Sequence, residues 1–156
     1  MAFPLVLAFA IGVIAGLRSM TAPAAVCLAA QLGWFDLHQS PLAFMGSPIT
    51  AWIFGLFAVG ELIMDKLPFT PSRLTAGPLA GRILLGGLSG ATILAAVSPS
   101  FVTGALAGAI GGIVGSFGGY QARVGAVKAL NLPDFVVAFT EDAIAVVGAL
   151  FIVSKV

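Results

Sequence analysis

Long apolar segments separated by short polar turns make up almost the whole chain. A helix needs about 20 apolar residues to cross the hydrocarbon core of a bilayer, at roughly 1.5 Å per residue. The pattern predicts an all-α transmembrane protein with about five spans in a single integral membrane domain, residues 1–156. The spans are expected at residues 3–33, 49–65, 78–97, 101–130 and 134–154.

Two of these segments, 3–33 and 101–130, are about ten residues longer than a simple span requires. We therefore expect both to be broken. In the first, Pro23 removes a backbone donor and clashes with the carbonyl of Ser19, which places the break near residues 18–23. No Lys or Arg precedes the apolar core of this segment, so we interpret it as a retained helix and not as a cleaved signal peptide.

Small residues recur at every fourth position in both long segments. Side chains this small let helix backbones approach closely in lipid, so we expect Gly-rich helix packing within the chain or across a homo-oligomer. Each long segment is followed by a span that carries a glutamate, Glu61 or Glu141, and one helix lies between the two units. This order favours an inverted repeat like that of many transporters. With 20 glycines in the chain, chance spacing is the alternative. The two rows are Ala8, Gly12 and Gly16, and Ala107, Gly111, Gly115 and Gly119.

The composition supports the membrane assignment and excludes several functions. The chain is 60% hydrophobic and 8% charged, against about a quarter charged in soluble domains. A net charge of +1 without any basic run gives no basis for nucleic-acid binding. One cysteine and one histidine cannot form a Cys/His zinc cluster. We predict no cofactor, and the expected partners are the lipid bilayer and a small ion or solute.

The distribution of basic residues predicts an orientation in a bacterial inner membrane. With Arg18 set aside, one side of the five-span arrangement collects five of the Lys and Arg residues, and the other collects only Lys155. The positive-inside rule therefore puts the basic side in the cytoplasm, with a cytoplasmic N-terminus and a periplasmic C-terminus. The basic side carries Lys66, Arg73, Arg82, Arg123 and Lys128.

Charged side chains within apolar segments are the candidates for function, because a charge next to hydrocarbon must be paired, hydrated or bound to a ligand. Arg18 is the most informative of them, since it lies inside the first long segment. It needs a carboxylate, a bound anion or water, unless its side chain extends to the membrane interface. The proposed ion- or solute-binding residues are Arg18, Ser19, Thr21, Glu61, Asp65, Arg123, Glu141 and Asp142. A loop that could hold an anion or a lipid headgroup carries Lys66, Ser72, Arg73 and Arg82.

Three stretches together resemble a bacterial family of small inner-membrane proteins that is known only as a domain of unknown function, numbered four-one-two-six. They are Gly16-Leu-Arg-Ser-Met-Thr-Ala-Pro23, then Glu61-x-x-x-Asp65-Lys-x-Pro-x-x-Pro-Ser-Arg73 with Arg82, then Glu141-Asp142. The resemblance implies a compact multi-pass bacterial protein and brings no agreed activity. It strengthens the choice of the charged residues in these stretches as site residues.

Three functions stay open at this point. The first is a transporter- or channel-like protein that binds a small ion or solute at an intramembrane Arg/carboxylate cluster. The second is an enzyme or binder of phosphate-bearing lipid headgroups at the cytoplasmic face, with Asp65, Glu141 and Asp142 around a divalent cation. The third is a non-catalytic membrane scaffold. Carboxylates near mid-bilayer would favour transport, whereas carboxylates level with Lys66 and Arg73 would favour headgroup binding.

Overall fold

The protein is all-helical, as the apolar pattern predicts. The structure, a computed structural model, describes residues 2–156 and contains no strand within that range. A short 3₁₀ helix, Ala43–Gly46, precedes the third α-helix. The α-helices are α1 (Ala2–Leu17), α2 (Thr21–Gln31), α3 (Pro48–Met64), α4 (Ala76–Val97), α5 (Phe101–Leu130) and α6 (Asp134–Val153).

The predicted break in the first long segment is confirmed. α1 ends at Leu17 and α2 begins at Thr21. Pro23 is the third residue of α2, where its missing N–H removes nothing, because the first backbone donors of a helix have no intrahelical acceptor. The proline therefore fits the start of the new helix.

The predicted break in the fourth long segment is wrong, because α5 is one continuous helix of 30 residues. Its glycines do not interrupt it. Six of them, from Gly104 to Gly119, lie on its buried face together with Ser116, and none of residues 120–130 is buried. At 1.5 Å per residue the helix is about 45 Å long, and its last three turns extend past the packed part of the bundle.

The centre of the bundle is built from backbone contacts between α1, α4 and α5. A Cβ atom on Gly12 would lie 2.1 Å from the carbonyl oxygen of Gly108, and one on Gly108 would lie 2.1 Å from that of Gly86. Gly90 meets Gly104 in the same way, at 2.4 Å. Helices can approach this closely where a glycine on one helix faces the backbone of the other. The rows of small residues are thus the contact surfaces of the three helices.

The same contacts establish the helix directions. Gly12 lies against Gly108, and Gly16 lies against Ser116, so α1 and α5 run parallel. An inverted repeat would make the first and fourth segments antiparallel. The expected inverted relation between these two segments therefore does not hold.

The first long segment turns back on itself at residues 18–20. Glu61, near the end of α3, binds the start of α2, while Met45, just before α3, contacts Cys27 in the second half of α2. α2 is therefore antiparallel to α3 and returns towards the end of the bundle where α3 begins.

This hairpin changes the expected arrangement of the termini. Arg18 contacts Asp142, and Ile14 contacts Gly148, so α1 is antiparallel to α6. The start of α1 and the end of α6 consequently lie at the same end of the bundle. The five-span prediction had placed them on opposite sides, because it counted α1 and α2 as a single interrupted crossing.

Three of the described helices, α4, α5 and α6, are long and apolar enough to cross a membrane. α1, α2 and α3 are apolar but have only 16, 11 and 17 residues. The membrane class follows from these helices, whereas a count of five spans does not.

Candidate functional site: a buried ion network

Almost all the charge of the protein is gathered at one end of the bundle, where α1 and α3 end and α4 and α6 begin. The sequence has seven Lys and Arg residues and six Asp and Glu residues, and only Asp36, Lys128 and Lys155 lie outside this network. Cationic and acidic side chains balance. The members are Arg18, Lys66, Arg73, Arg82 and Arg123 with Glu61, Asp65, Asp134, Glu141 and Asp142.

Arg18 is at the centre of the network and is 0% exposed. Arg18 directly follows the last residue of α1, and its guanidinium group faces the end of α3 and the first half of α6. The guanidinium contacts Asp65, lies 2.5 Å from Asp142 Oδ1 and lies 4.0 Å from Glu141 Oε2. The alternative in which Arg18 extends to the membrane interface is wrong. A buried guanidinium requires this kind of pairing.

Arg73 and Arg123 bind carboxylates through two contacts each. Arg73 donates to both oxygens of Glu141, at 2.5 and 2.9 Å. Arg123 donates to both oxygens of Asp134, at 2.9 and 2.6 Å, and its Nη1 lies 3.5 Å from Glu141 Oε2. Gly119 provides the space for the first pair, because a Cβ there would lie 2.8 Å from Arg73 Nη1.

Glu61 binds the break between α1 and α2. Its Oε1 accepts hydrogen bonds from the backbone N–H and the hydroxyl of Ser19, at 2.8 and 2.6 Å. Its Oε2 accepts one from the backbone N–H of Met20, at 2.8 Å. A carboxylate here accepts hydrogen bonds from backbone N–H groups that have no acceptor within the helix. Its negative charge also lies at the positive end of the α2 helix dipole. The cation beside it is Arg82, whose Nη2 lies 3.8 Å from Oε1.

Lys66 is a member of the network and lies at the start of the loop between α3 and α4. It donates to Asp142 Oδ2 at 2.5 Å and to the carbonyl of Leu62 at 2.7 Å, and it lies over the ring of Phe139. The divalent-cation site expected at Asp65, Glu141 and Asp142 does not form. Each of these carboxylates faces a cation instead, and no metal-binding group of His, Cys, Asp and Glu side chains occurs within residues 2–156.

A cavity of about 410 Å³ opens beside the network. Arg82 borders it and is 6% exposed. Its Nε has no hydrogen-bond partner anywhere in the described chain, and its one hydrogen bond is a long one, 3.4 Å, to the carbonyl of Pro78. The three guanidinium nitrogens of Arg18 also lack a hydrogen-bond partner, but Arg18 lies within 2.5 Å of Asp142. Arg82, whose nearest carboxylate atom is 3.8 Å away, has the longest ion-pair contact of the network's cations. The other polar residues that line the cavity are Asp65, Thr70, Ser72, Arg73, Tyr120, Arg123 and Asp134.

The structure brings the predicted charged residues together and adds three others. Ser19 contributes through its contacts to Glu61, and Thr21 is buried at the start of α2. Asp134, Gly119 and Tyr120 were not among the candidates. Asp134 could have been found from the sequence, because an acidic residue opens α6 just after the helix that carries Arg123.

These observations define an all-helical protein with three helices long and apolar enough to cross a membrane and a largely buried, charge-balanced ion network at one end of its helix bundle. The chain belongs to the family described as "Domain of unknown function (DUF4126)", whose model matches residues 5–154. The family predicted from the three sequence stretches is therefore confirmed. No match was found among curated proteins, and none among solved structures.

Proposed function

We propose that this protein binds a ligand with a phosphate-type anionic group in the cavity beside the ion network. The observation that carries this proposal is the state of Arg82. It is buried, it borders the cavity, and its closest carboxylate contact is 3.8 Å long. An uncompensated buried guanidinium is costly, and an anion in the cavity would supply the missing contacts.

The donors around the cavity suit a phosphate group. Three guanidinium groups, of Arg73, Arg82 and Arg123, border the cavity. Arg73 and Arg123 already bind carboxylates through two contacts each, so Arg82 is the arginine with donors to spare. A planar guanidinium matches two phosphate oxygens at once, and hydroxyl groups can complete the set.

The position of the site favours a ligand near the membrane surface. Glu141 contacts Arg73 and Asp142 contacts Lys66, so these carboxylates are level with the loop between α3 and α4. By the depth criterion, this arrangement favours phosphate binding at the headgroup level. A lipid headgroup and a free phosphate ester share this chemistry.

Transport of a small ion or solute is the second candidate, and the break at residues 18–20 favours it. Interrupted helices next to charged residues form the binding sites of many transporters. Here the break adjoins Arg18 and is bound by Glu61. In such a mechanism, the arginine and the carboxylates would exchange partners as the solute binds.

Binding to the purified full chain in lipid nanodiscs tests the proposal. Isothermal titration calorimetry with glycerol phosphate measures the binding of a free phosphate ester. The unfolding temperature in nanodiscs with and without phosphatidic acid measures the binding of a lipid headgroup. We expect one of the two ligands to bind, and Arg82→Gln to abolish that binding. Lys128→Gln is the matched control, because Lys128 is exposed and lies outside the network.

The experiment distinguishes a soluble phosphate ester from a lipid headgroup, and binding from transport. Glycerol phosphate binding indicates a soluble ester, and a higher unfolding temperature only with phosphatidic acid indicates a lipid. Uptake of the bound ester into proteoliposomes would support transport. Equal binding by the wild type and Arg82→Gln would contradict the proposal.

A further inference from the structure

We propose that the start of α2 is a second, inner anion site, and that the Glu61 carboxylate occupies it as a tethered substitute for a ligand. The site would accept a small anion such as phosphate or a carboxylate. Arg82 connects it to the outer cavity, because this one side chain borders the cavity and also faces Glu61.

The inner site consists of donors that converge on one point. The backbone N–H groups of Ser19 and Met20 and the Ser19 hydroxyl all point to the Glu61 carboxylate, at 2.6 to 2.8 Å. α2 is a regular helix of 11 residues, so its dipole adds to the attraction for an anion.

Two buried side chains beside these contacts have donors without a partner in residues 2–156, Arg82 facing Glu61 and Thr21 following Met20 in the chain. The Nη2 atom of Arg82 lies 3.8 Å from Glu61 Oε1, while its Nε is without a hydrogen-bond partner in residues 2–156. The Thr21 hydroxyl, at the first position of α2, is also buried and finds no partner in the same range. A phosphate group has more acceptor oxygens than a carboxylate and could contact more of these donors.

The helix that carries Glu61 contacts the apolar core through half-buried side chains, among them Ala51 and Phe54. None of residues 48–64, all of which the structure describes, is buried. An apolar cavity of about 650 Å³ lies between α3 and the neighbouring helices α2 and α6. The polar contacts of the α3 end are those of Glu61, Asp65 and Lys66. Glu61 can therefore leave the α2 start without opening a packed core.

An anion in the outer cavity would compete with Glu61 for Arg82 and could then replace Glu61 at the inner site. This movement of an anion from the outer cavity to the inner site rests on the proposed function, which supplies the class of ligand. The inner site itself does not rest on that function, because it can be tested by removing the negative charge that Glu61 places there.

The experiment removes the tethered carboxylate. Glu61→Gln keeps the size of the side chain but loses its charge, and inorganic phosphate is titrated into this variant and the wild type in nanodiscs. We expect phosphate to bind the variant about tenfold more tightly, the factor of one charge-assisted hydrogen bond. Thr21→Val in the Glu61→Gln background should remove part of this gain. Asp36→Asn is the control, since it removes a distant exposed carboxylate and should leave binding unchanged.

The results separate the inner site from the outer one. If phosphate binds the wild type but binds Glu61→Gln equally or less tightly, the inner site is wrong and the outer cavity stands. Binding by Glu61→Gln alone supports the inner site and contradicts the outer one, and no binding by either contradicts both. If Glu61→Gln does not fold, Glu61→Asp replaces it, because its shorter side chain cannot reach the α2 start. Phosphate should then raise the unfolding temperature of Glu61→Asp more than that of the wild type, and an equal or smaller rise overturns the inner site.

Discussion

Arg73 and Glu141 lie 68 positions apart in the chain and form a two-point ion pair, with contacts of 2.5 and 2.9 Å. The pair connects the loop before α4 to α6, and it passes directly over Gly119 of α5. A Cβ atom at this position would lie 2.5 Å from Leu17 Cδ2 and 2.8 Å from Arg73 Nη1, so a side chain there would have to displace both groups. The ion network therefore depends on the same small residues that bring the helices together.

Gly119→Ala should weaken this pair. The new methyl group would lie 2.8 Å from Arg73 Nη1, and we expect a loss of about 1–3 kcal/mol in the free energy of unfolding, the usual cost of overpacking. Thermal unfolding in detergent measures it. Gly118→Ala is the neighbouring control, because its methyl group would meet no atom of the described chain within 4 Å. It should change stability by less than about 1 kcal/mol, in the stabilising direction, since alanine favours helix. Equal effects of the two substitutions would show that Gly119 provides no space for the pair.

Arg18→Ala should destabilise the protein by about 3–5 kcal/mol, because it leaves the Asp65 carboxylate without its cation. Asp65→Asn in the same chain should restore part of that loss, since the double variant no longer contains the stranded charge. A double-mutant cycle by thermal unfolding measures the coupling.

Asp36 provides the control for this cycle. It lies outside the network beside His38, so Asp36→Asn should add to Arg18→Ala without coupling. Additive effects with Asp65→Asn as well would contradict a direct contact between Arg18 and Asp65.

Gly115→Leu should prevent correct packing of α1 on α5. Its Cβ alone would lie 2.2 Å from the carbonyl oxygen of Val13. A backbone atom cannot move aside as a side chain does, so we expect a loss of at least about 3 kcal/mol or no folded protein. Gly118→Leu, which faces open space on the same helix, should purify and unfold like the wild type. Unchanged unfolding of Gly115→Leu would mean that the helices do not touch at this glycine.

Both termini should lie on the membrane side opposite to Ser72. α1 and α6 are antiparallel, and the positive-inside rule predicts that the network end, which carries most of the basic residues, is cytoplasmic. Single cysteines at Ala2, Lys155 and Ser100, in a Cys27→Ala background, should react with a membrane-impermeant thiol reagent added to intact cells. A cysteine at Ser72 should react only after the cells are opened. Labelling of positions 2 and 155 from opposite sides would restore the five-span arrangement.

Much of the fold follows from local patterns that need no tertiary information. Apolar length predicts membrane helices, and the polar residues before Pro23 predict the break at the end of α1. Arg18, Glu61, Glu141 and Asp142 were identified as one group because charges in apolar segments must be compensated. The partners within that group were not predicted. Arg18 meets Asp65 and Asp142, whereas Glu61 binds backbone amides.

By itself, the sequence determined that this is an all-helical protein of the DUF4126 family, with helices apolar enough to cross a membrane and charged residues within its apolar segments. The tertiary structure decided that the first segment turns back at residues 18–20, that α5 stays unbroken, and that Arg82 faces a cavity with too few partners. The reason is physical. Composition alone requires that a charge or a glycine face in an apolar segment be buried against a partner. Which residue becomes that partner depends on helices that are distant in sequence and come into contact only when the bundle is packed.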